Sequence, residues 1–279
     1  MKRAFFLIDE QPAPADTENR RWLPRAFSQA GWTVNVADHR TLTLADGEVQ
    51  ANGLKLRAHD LVWPVGFGPK ETFIDRCQLL AHSGARLINP PASALLLHGK
   101  LMWGDLMPET HASSDAAPLM AVARAGGRWV LKPAAGSFGR DVQRVDRPEE
   151  IADAMASSPG YWLLQRHSDA YAAGEHRTLV VGGTPFGTYR RTPAEGMHAN
   201  LAQGGSASEA QVDAEEQRLI DVVLERLRPY RLGFASIDTA GTELVEVNVA
   251  NPGGLATLET VYGRSLSGPL ADRVETWIQ

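Results

Sequence analysis

Apolar positions in the first ninety residues form short runs separated by amphipathic stretches. Ala4, Phe5, Phe6, Leu7 and Ile8 make one unbroken run that ends at Asp9, the pattern of a parallel strand covered on both faces. Residues 18–30 read as a helix stopped by Gly31, with Pro24 near its first turn or kinking it. Alternation at 32, 34 and 36 predicts a second strand. Asn52-Gly53 between two short alternating runs predicts a hairpin over 49–56. Residues 61–63 and 86–88 read as further strands, and 71–82 as a helix ending near Gly84. This β/α rhythm predicts a small doubly wound unit.

Asn89-Pro90-Pro91 punctuates the chain. Helical spacing follows over 92–107 and 116–125. The pattern then changes. Strands are expected at 128–132, 142–145, 161–165, 177–181 and 186–191, with a helix at 149–156. Residues 208–227 carry Val212, Leu219, Val223 and Leu227 on one helical face, and Ser208 and Gln211 have capping-box spacing. A last hairpin pairs 233–238 with 244–249 across Thr239-Ala240-Gly241-Thr242. The class is α/β, with an α+β, mainly antiparallel second half.

Composition narrows the function classes. The 279 residues suggest about two domains. Hydrophobic residues make up 43% and charged residues 22%, which suits a globular protein. A net charge of −5 offers no bulk field for nucleic acid. The single cysteine, Cys77, excludes an intrachain disulfide and reads as a structural thiol. No 18-residue stretch lacks a charge, so no membrane span is expected. The first apolar run is too short for a signal peptide, and the expected location is cytoplasmic.

Four segments carry candidate chemistry. The P-loop, dinucleotide fingerprint, nucleophile elbow and zinc-helix motifs are absent. First, Lys132 ends a hydrophobic strand before a loop of small residues with Gly136, Ser137, Phe138 and Gly139. Such a loop brings backbone N–H groups close to phosphate oxygens; it reads equally as a hairpin loop beside a solvated lysine. Second, Arg177 and the pair Arg190-Arg191 sit on two strands of one hairpin. Adjacent strand residues face opposite sides, so one of that pair at most shares a site with Arg177. Third, a polar loop runs from His198 and Asn200 to Gly204 and Gly205. Fourth, Glu246 and Asn248 lie on one face of a strand, about 7 Å apart, near Asp238 on the preceding strand. These oxygens suit magnesium. They suit a solvated hairpin face as well, and a tight turn would set Asp238 opposite Glu243 rather than Glu246.

The ordered set resembles the ATP-grasp superfamily, and within it the bacterial glutathione synthetase and RimK-type ligases. It runs from Asn89-Pro90-Pro91 and Gly99-Lys100 through Leu131-Lys132-Pro133, Gly136-Ser137-Phe138-Gly139 and Leu164-Gln165-Arg166. It continues through Gly174-Glu175-His176-Arg177, Arg191 and Asn200-Leu201-Ala202-Gln203-Gly204-Gly205 to Asp238 and Glu246-Val247-Asn248. The resemblance spans about residues 85 to 262. It implies an ATP-grasp fold with ATP held between two antiparallel sheets. The implied units are 1–90 (N-terminal α/β), 91–166 (central lid) and 167–279 (carrying the metal site). The implied reaction is ligation of a carboxylate to an amine through an acylphosphate, releasing ADP and phosphate. Lys100 and Lys132 match lysines that reach the nucleotide phosphates. The small-residue loop matches a phosphate cover, and Gln165 a hinge near the adenine. Arg177 and Arg191 match arginines near the transferred phosphoryl group. Asp238, Glu246 and Asn248 match ligands of two magnesium ions.

The chain also departs from that pattern. His198 stands where the family usually has arginine. Val249-Ala250-Asn251-Pro252-Gly253-Gly254 replaces a Ser-Pro-Thr-Cys type segment. With Asn200, Gly204 and Gly205, the positions His198, Asn251, Gly253 and Gly254 are therefore expected to set a different acid, amine or both. The partners are small molecules, with self-association implied by analogy alone. A small-molecule kinase on the same fold, or a non-catalytic nucleotide-binding module, are the alternatives.

Overall fold

The computed structural model describes residues 1–9, 19–134, 141–193 and 204–279. The N-terminal part holds β1 (Arg3–Ile8), α1 (Asn19–Gln29), β2 (Thr33–Asp38), β3 (Leu42–Ala45), β4 (Glu48–Ala51), β5 (Leu54–Lys55), β6 (Leu61–Pro64) and α2 (Phe73–His82). The parallel sheet runs β2-β1-β6, and β3-β4-β5 form a separate antiparallel sheet. The central part holds α3 (Pro91–Leu97), β7 (Thr110–Ser113), α4 (Ala116–Arg124), β8 (Trp129–Pro133), β9 (Gln143–Val145), α5 (Glu149–Ser157) and β10 (Trp162–Arg166). Its antiparallel sheet has the order β7-β10-β8-β9. The last part holds β11 (Glu175–Val181), β12 (Thr184–Thr192), β13 (Ser206–Glu209), α6 (Ala214–Leu227), β14 (Phe234–Ala240), β15 (Glu243–Asn248), α7 (Leu255–Tyr262) and α8 (Ser267–Ile278). Its sheet has the order β13-β12-β11-β14-β15.

Several expectations need correction. Residues 208–227 are not one helix: Ser206–Glu209 pairs with β12, and α6 starts at Ala214. The cap is Asp213, whose carboxylate accepts from the Glu215 and Glu216 amides. Asp213 with two acidic residues in the first turn suits the positive helix end better than Ser208 and Gln211. Residues 86–88 make a single parallel bridge, Val62 to Leu87. The helix expected over 92–107 stops at Leu97, because Gly99 turns the chain at φ +97° and a 3-10 turn follows at Leu101–Trp103. A 3-10 turn, Lys70–Thr72, precedes α2. Pro24 sits inside α1, beyond its first turn. Strands β3 and β7 were not expected from the pattern; each is short and half-exposed.

One apolar cluster joins the first and last parts. Phe6, Phe27 and Trp63 pack with Phe234, Leu258 and Val274. Trp63 meets Phe234 edge-to-face at 5.2 Å. Asn89 fastens the same boundary with its side-chain amide. Its Nδ2 donates to the Phe234 and Val249 carbonyls at 2.6 and 2.7 Å. Its Oδ1 accepts from the Gly233 and Phe234 amides at 2.8 and 2.9 Å. A second cluster lies on the other face of the last sheet, where Ile220, Val223 and Leu227 of α6 cover Val180, Ile237 and Val247. On that face His176 and Thr239 bond the buried Glu216 of α6, while Arg177 and Asp238 alternate to the opposite face.

Candidate functional site

The strand register assembles a polar row. Arg177 pairs with Asp238 across β11–β14, and Asp238 pairs with Glu246 across β14–β15. The tight turn at Gly241-Thr242 aligns Thr239 with Leu244, and a bulge then shifts the ladder by one residue. The expected pairing of Asp238 with Glu243 is thereby replaced by Asp238 with Glu246. A bulge adds one residue to one strand and re-aims the side chains beyond it.

Asp238 is 1% exposed and bound by two guanidiniums. Arg177 donates from Nε and Nη2 to its two carboxylate oxygens at 2.8 and 2.6 Å. Arg191 donates from Nη2 to Oδ2 at 2.7 Å and also pairs with Glu175. Burial alone would raise the Asp238 pKa, but the two arginines outweigh it and hold the carboxyl below its ordinary value. Burial likewise opposes the charge on Arg177, and Asp238 reverses that effect. Burial pushes Glu175 up to about 7 against the pull of Arg191. Arg190, on the opposite side of its strand, reaches the Ala173 carbonyl instead.

Two lysines approach the row from other elements. Lys100 follows α3 and donates to Glu246 Oε1 at 3.0 Å. Lys132, on β8, is buried and donates to Gln165 Oε1 at 2.7 Å. Gln165 in turn donates to Thr110 Oγ1 at 2.8 Å. Desolvation, reinforced by Lys100, lowers the Lys132 pKa to about 8 despite Glu246 and Glu175. Thus the sheet bearing Lys132 and Gln165 faces the one bearing Asp238 and Glu246, and one charge field spans both.

The segment after β15 folds back under the row. Asn248 Oδ1 accepts from the Ala250 and Asn251 amides at 3.1 and 3.3 Å. Asn251 Oδ1 and the Pro252 carbonyl accept from Asn19 Nδ2, both at 2.8 Å. The Gly253 carbonyl accepts from Arg177 Nη1 at 3.1 Å. Gly254 has φ +124°, and a Cβ there would lie 2.5 Å from the Tyr189 hydroxyl oxygen. Only glycine suits both constraints. Gly204 and Gly205 lead into β13, whose Ala207 pairs with Arg191. Gly136, Ser137, Phe138, Gly139, His198 and Asn200 lie outside the described residues.

The structure thus brings Lys100, Lys132, Gln165, Arg177, Arg191, Asp238 and Glu246 together, with Asn248 on the same strand as Glu246. The sequence reading missed Glu175, Thr110, Asn89 and Asn19. Glu175 was legible within Gly174-Glu175-His176-Arg177, two residues from Arg177 and so on its face. The other three act through contacts distant in sequence, which spacing does not reveal.

Two carboxylates and an amide oxygen form a hard-donor set whose chemistry fits magnesium. Among the described residues no three His, Cys, Asp or Glu side chains converge on one point. The third donor of this set is Asn248.

The family model of the prokaryotic glutathione synthetase ATP-grasp domain matches residues 99–263, more than half of the chain. The chain belongs to this family. It is 30% identical over 233 residues to the glutathione synthetase of Parasynechococcus marenigrum, covering 78% of this chain and 74% of that protein. It is 29% identical over 204 residues to the glutathione synthetase of Rhodopseudomonas palustris, covering 70% and 65%. Among solved structures, D-alanyl-alanine synthetase A from Vibrio cholerae superposes with a TM-score of 0.72 at 14% identity, over 99% of this chain and 98% of that one. A RimK domain ATP-grasp protein from Sphaerobacter thermophilus gives 0.68 at 22% identity, over 97% and 98%. These two likenesses carry the fold. As a member of the glutathione synthetase ATP-grasp family, the chain is an ATP-dependent carboxylate–amine ligase, and ATP with magnesium is the family's general requirement. Among the described residues, no helix is long and apolar enough to cross a membrane.

Proposed function

We propose that the site joins a small carboxylic acid, such as an amino acid or short peptide, to a small amine through an acylphosphate. The observation that carries this reading is the row Arg177–Asp238–Glu246 with Arg191, Lys100 and Lys132 beside it. Four cations converge there, a concentration suited to the phosphates of ATP and to a carboxylate that must approach them. In our division, 91–166 covers the nucleotide, 167–279 supplies the metal-bearing sheet, and 1–90 backs the acid site.

Lys100 and Lys132 bind phosphate oxygens, and Gln165 fixes the Lys132 ammonium on the nucleotide side. Asp238, Glu246 and Asn248 would hold the two magnesium ions, which would supply charge neutralisation at the phosphates. The acid's carboxylate oxygen bonds to the γ-phosphorus as the bond to ADP breaks. Arg191 and Arg177 orient the acid and balance its growing charge. The amine nitrogen then bonds to the acyl carbon and phosphate leaves. The ammonium proton passes to solvent or to the departing phosphate. Asn251, Gly253 and Gly254 line the acid side, with Gly204 and Gly205 on the approach. A cytosolic location supports the supply of ATP and agrees with the unpaired thiol of Cys77.

A magnesium-dependent ADP-release screen tests this. Amino acids, γ-glutamyl dipeptides and small diacids are assayed alone and with amines. We expect release that requires both an acid and an amine. Release with one substrate and no amine acceptor favours a kinase, or an acylphosphate lost to water.

A further inference from the structure

A cavity lies apart from the charged row, at the carboxyl ends of β2 and β6. Its interior is about 40 Å³ and opens to solvent. Phe67, Phe73, Leu80 and Ala94 form much of its wall, and Val249 and Ala250 close it on the side of β15. It therefore touches the segment that leads from Asn248 to Gly253. In open parallel sheets the carboxyl ends of the strands are the usual place for ligands.

One charge in this apolar cavity is Arg76, which is 5% exposed. The loop 66–69 is shaped around its guanidinium. Arg76 Nη2 donates to the Phe67 and Pro69 carbonyls, and Nη1 donates to Thr72 Oγ1 at 3.1 Å. Gly68, at φ +63°, leaves the space: a Cβ there would lie 2.8 Å from Arg76 Cζ. Asp9 and Asp38 act on Arg76 through space, but among the described residues no carboxylate lies within ion-pair distance of it. The nearby His39 is buried, and its burial holds it towards the neutral form. Burial also lowers the Arg76 pKa. Among the described residues this guanidinium is held by two carbonyls and a hydroxyl, which leaves some of its N–H donors unused.

We propose that this cavity is a carboxylate-binding subsite. Arg76 takes the carboxylate, and Phe67, Phe73 and Leu80 take a short apolar body. The occupant is a carboxylate of one ligation substrate, on the acid or on the amine, and this part rests on the function proposed above. The pocket's preference for a carboxylate does not depend on it.

The test uses the full chain and two small probes, butyrate and its neutral counterpart butyramide, titrated by ligand-observed NMR. We expect wild type to bind butyrate at least tenfold more tightly than butyramide. Arg76→Gln should abolish that difference, and Arg76→Lys should keep part of it. Ala94→Leu fills the mouth from a half-exposed helix position, so it should block butyrate without loss of folding. Equal binding of the two probes by wild type, or an unchanged preference in folded Arg76→Gln and Ala94→Leu, overturns the proposal. If Arg76→Gln does not fold, wild type and Ala94→Leu decide.

With a turnover pair in hand, Arg76→Lys should raise KM for the substrate that carries the carboxylate, leaving KM for ATP unchanged. A rise confined to the acid or to the amine identifies the source. Unchanged KM for both overturns the substrate assignment. Failure of all ligation, with butyrate still bound through Arg76, overturns the ligase reading and leaves the subsite standing.

Discussion

Asp238 stands across the β14–β15 ladder from Glu246, yet both of its carboxylate oxygens are held by arginines from the other side, Arg177 on β11 and Arg191 on β12. The two acids of the row therefore differ in what they support. Asp238 neutralises two buried guanidiniums. Glu246 is 29% exposed at its side chain and paired with Lys100.

Replacing the two acids should separate folding from turnover. Glu246→Gln is expected to abolish magnesium-dependent ADP release with a stability change of about 1 kcal/mol or less. Asp238→Asn should abolish it as well and also cost about 3 kcal/mol, because two buried arginines lose their counter-ion. Thermal melts beside an ADP assay check both. Equal stability of the two variants would contradict the assignment of Asp238 as the counter-ion.

Lys132 gives a pH signature. Its folded pKa is about 8, against an ordinary value of 10.5. Between these values the unfolded chain binds more protons, so this group's contribution to stability rises with pH through that window. Below pH 8 both states are protonated and the destabilisation is full. Lys132→Met should therefore melt higher than wild type at pH 7, by something on the order of 1–3 kcal/mol, with the gap closing towards pH 10. If ATP phosphates meet Lys132, nucleotide binding near pH 8.5 should take up protons. Calorimetry in buffers of different ionisation enthalpy measures that uptake.

The neighbouring arginines should behave oppositely. Arg191→Ala is expected to lower kcat by 100-fold or more, since Arg191 lies in the charged row. Arg190→Ala removes a contact to the Ala173 carbonyl on the far side of the strand and should leave kcat within about threefold. Steady-state kinetics on the pair decides whether strand alternation sets the site.

Asn89→Ala removes four hydrogen bonds to backbone groups of Gly233, Phe234 and Val249. A loss of at least about 3 kcal/mol is expected, because buried donors and acceptors are left unmet. Urea unfolding measures it, and a change below about 1 kcal/mol would contradict the role given to this side chain.

Much of the site was legible because its residues sit on strands, where period two fixes the face. Glu246 and Asn248, and the contrast between Arg190 and Arg191, follow from alternation alone. The pairing of Asp238 with Glu246 did not, because the turn is two residues long rather than four and a one-residue bulge then moves the ladder, which nothing local marks. The start of α6 was misread for a related reason. Ser206–Glu209 gains its partner from the edge of β12, a contact invisible to helical spacing. Asn19, Asn89 and Thr110 contribute through partners far away in the chain, so their roles required the fold.

The apolar cluster that joins β1, α1 and β6 to α7 and α8 also orders events during synthesis. The first parallel strands leave the ribosome early, but the surfaces that cover Phe6, Phe27 and Trp63 are made near the end. Until then this part of the nascent chain presents uncovered aromatic faces, and contacts of such long sequence separation close slowly. A fragment cut before α7 should therefore aggregate during translation, whereas the intact chain buries the same residues as soon as α8 docks.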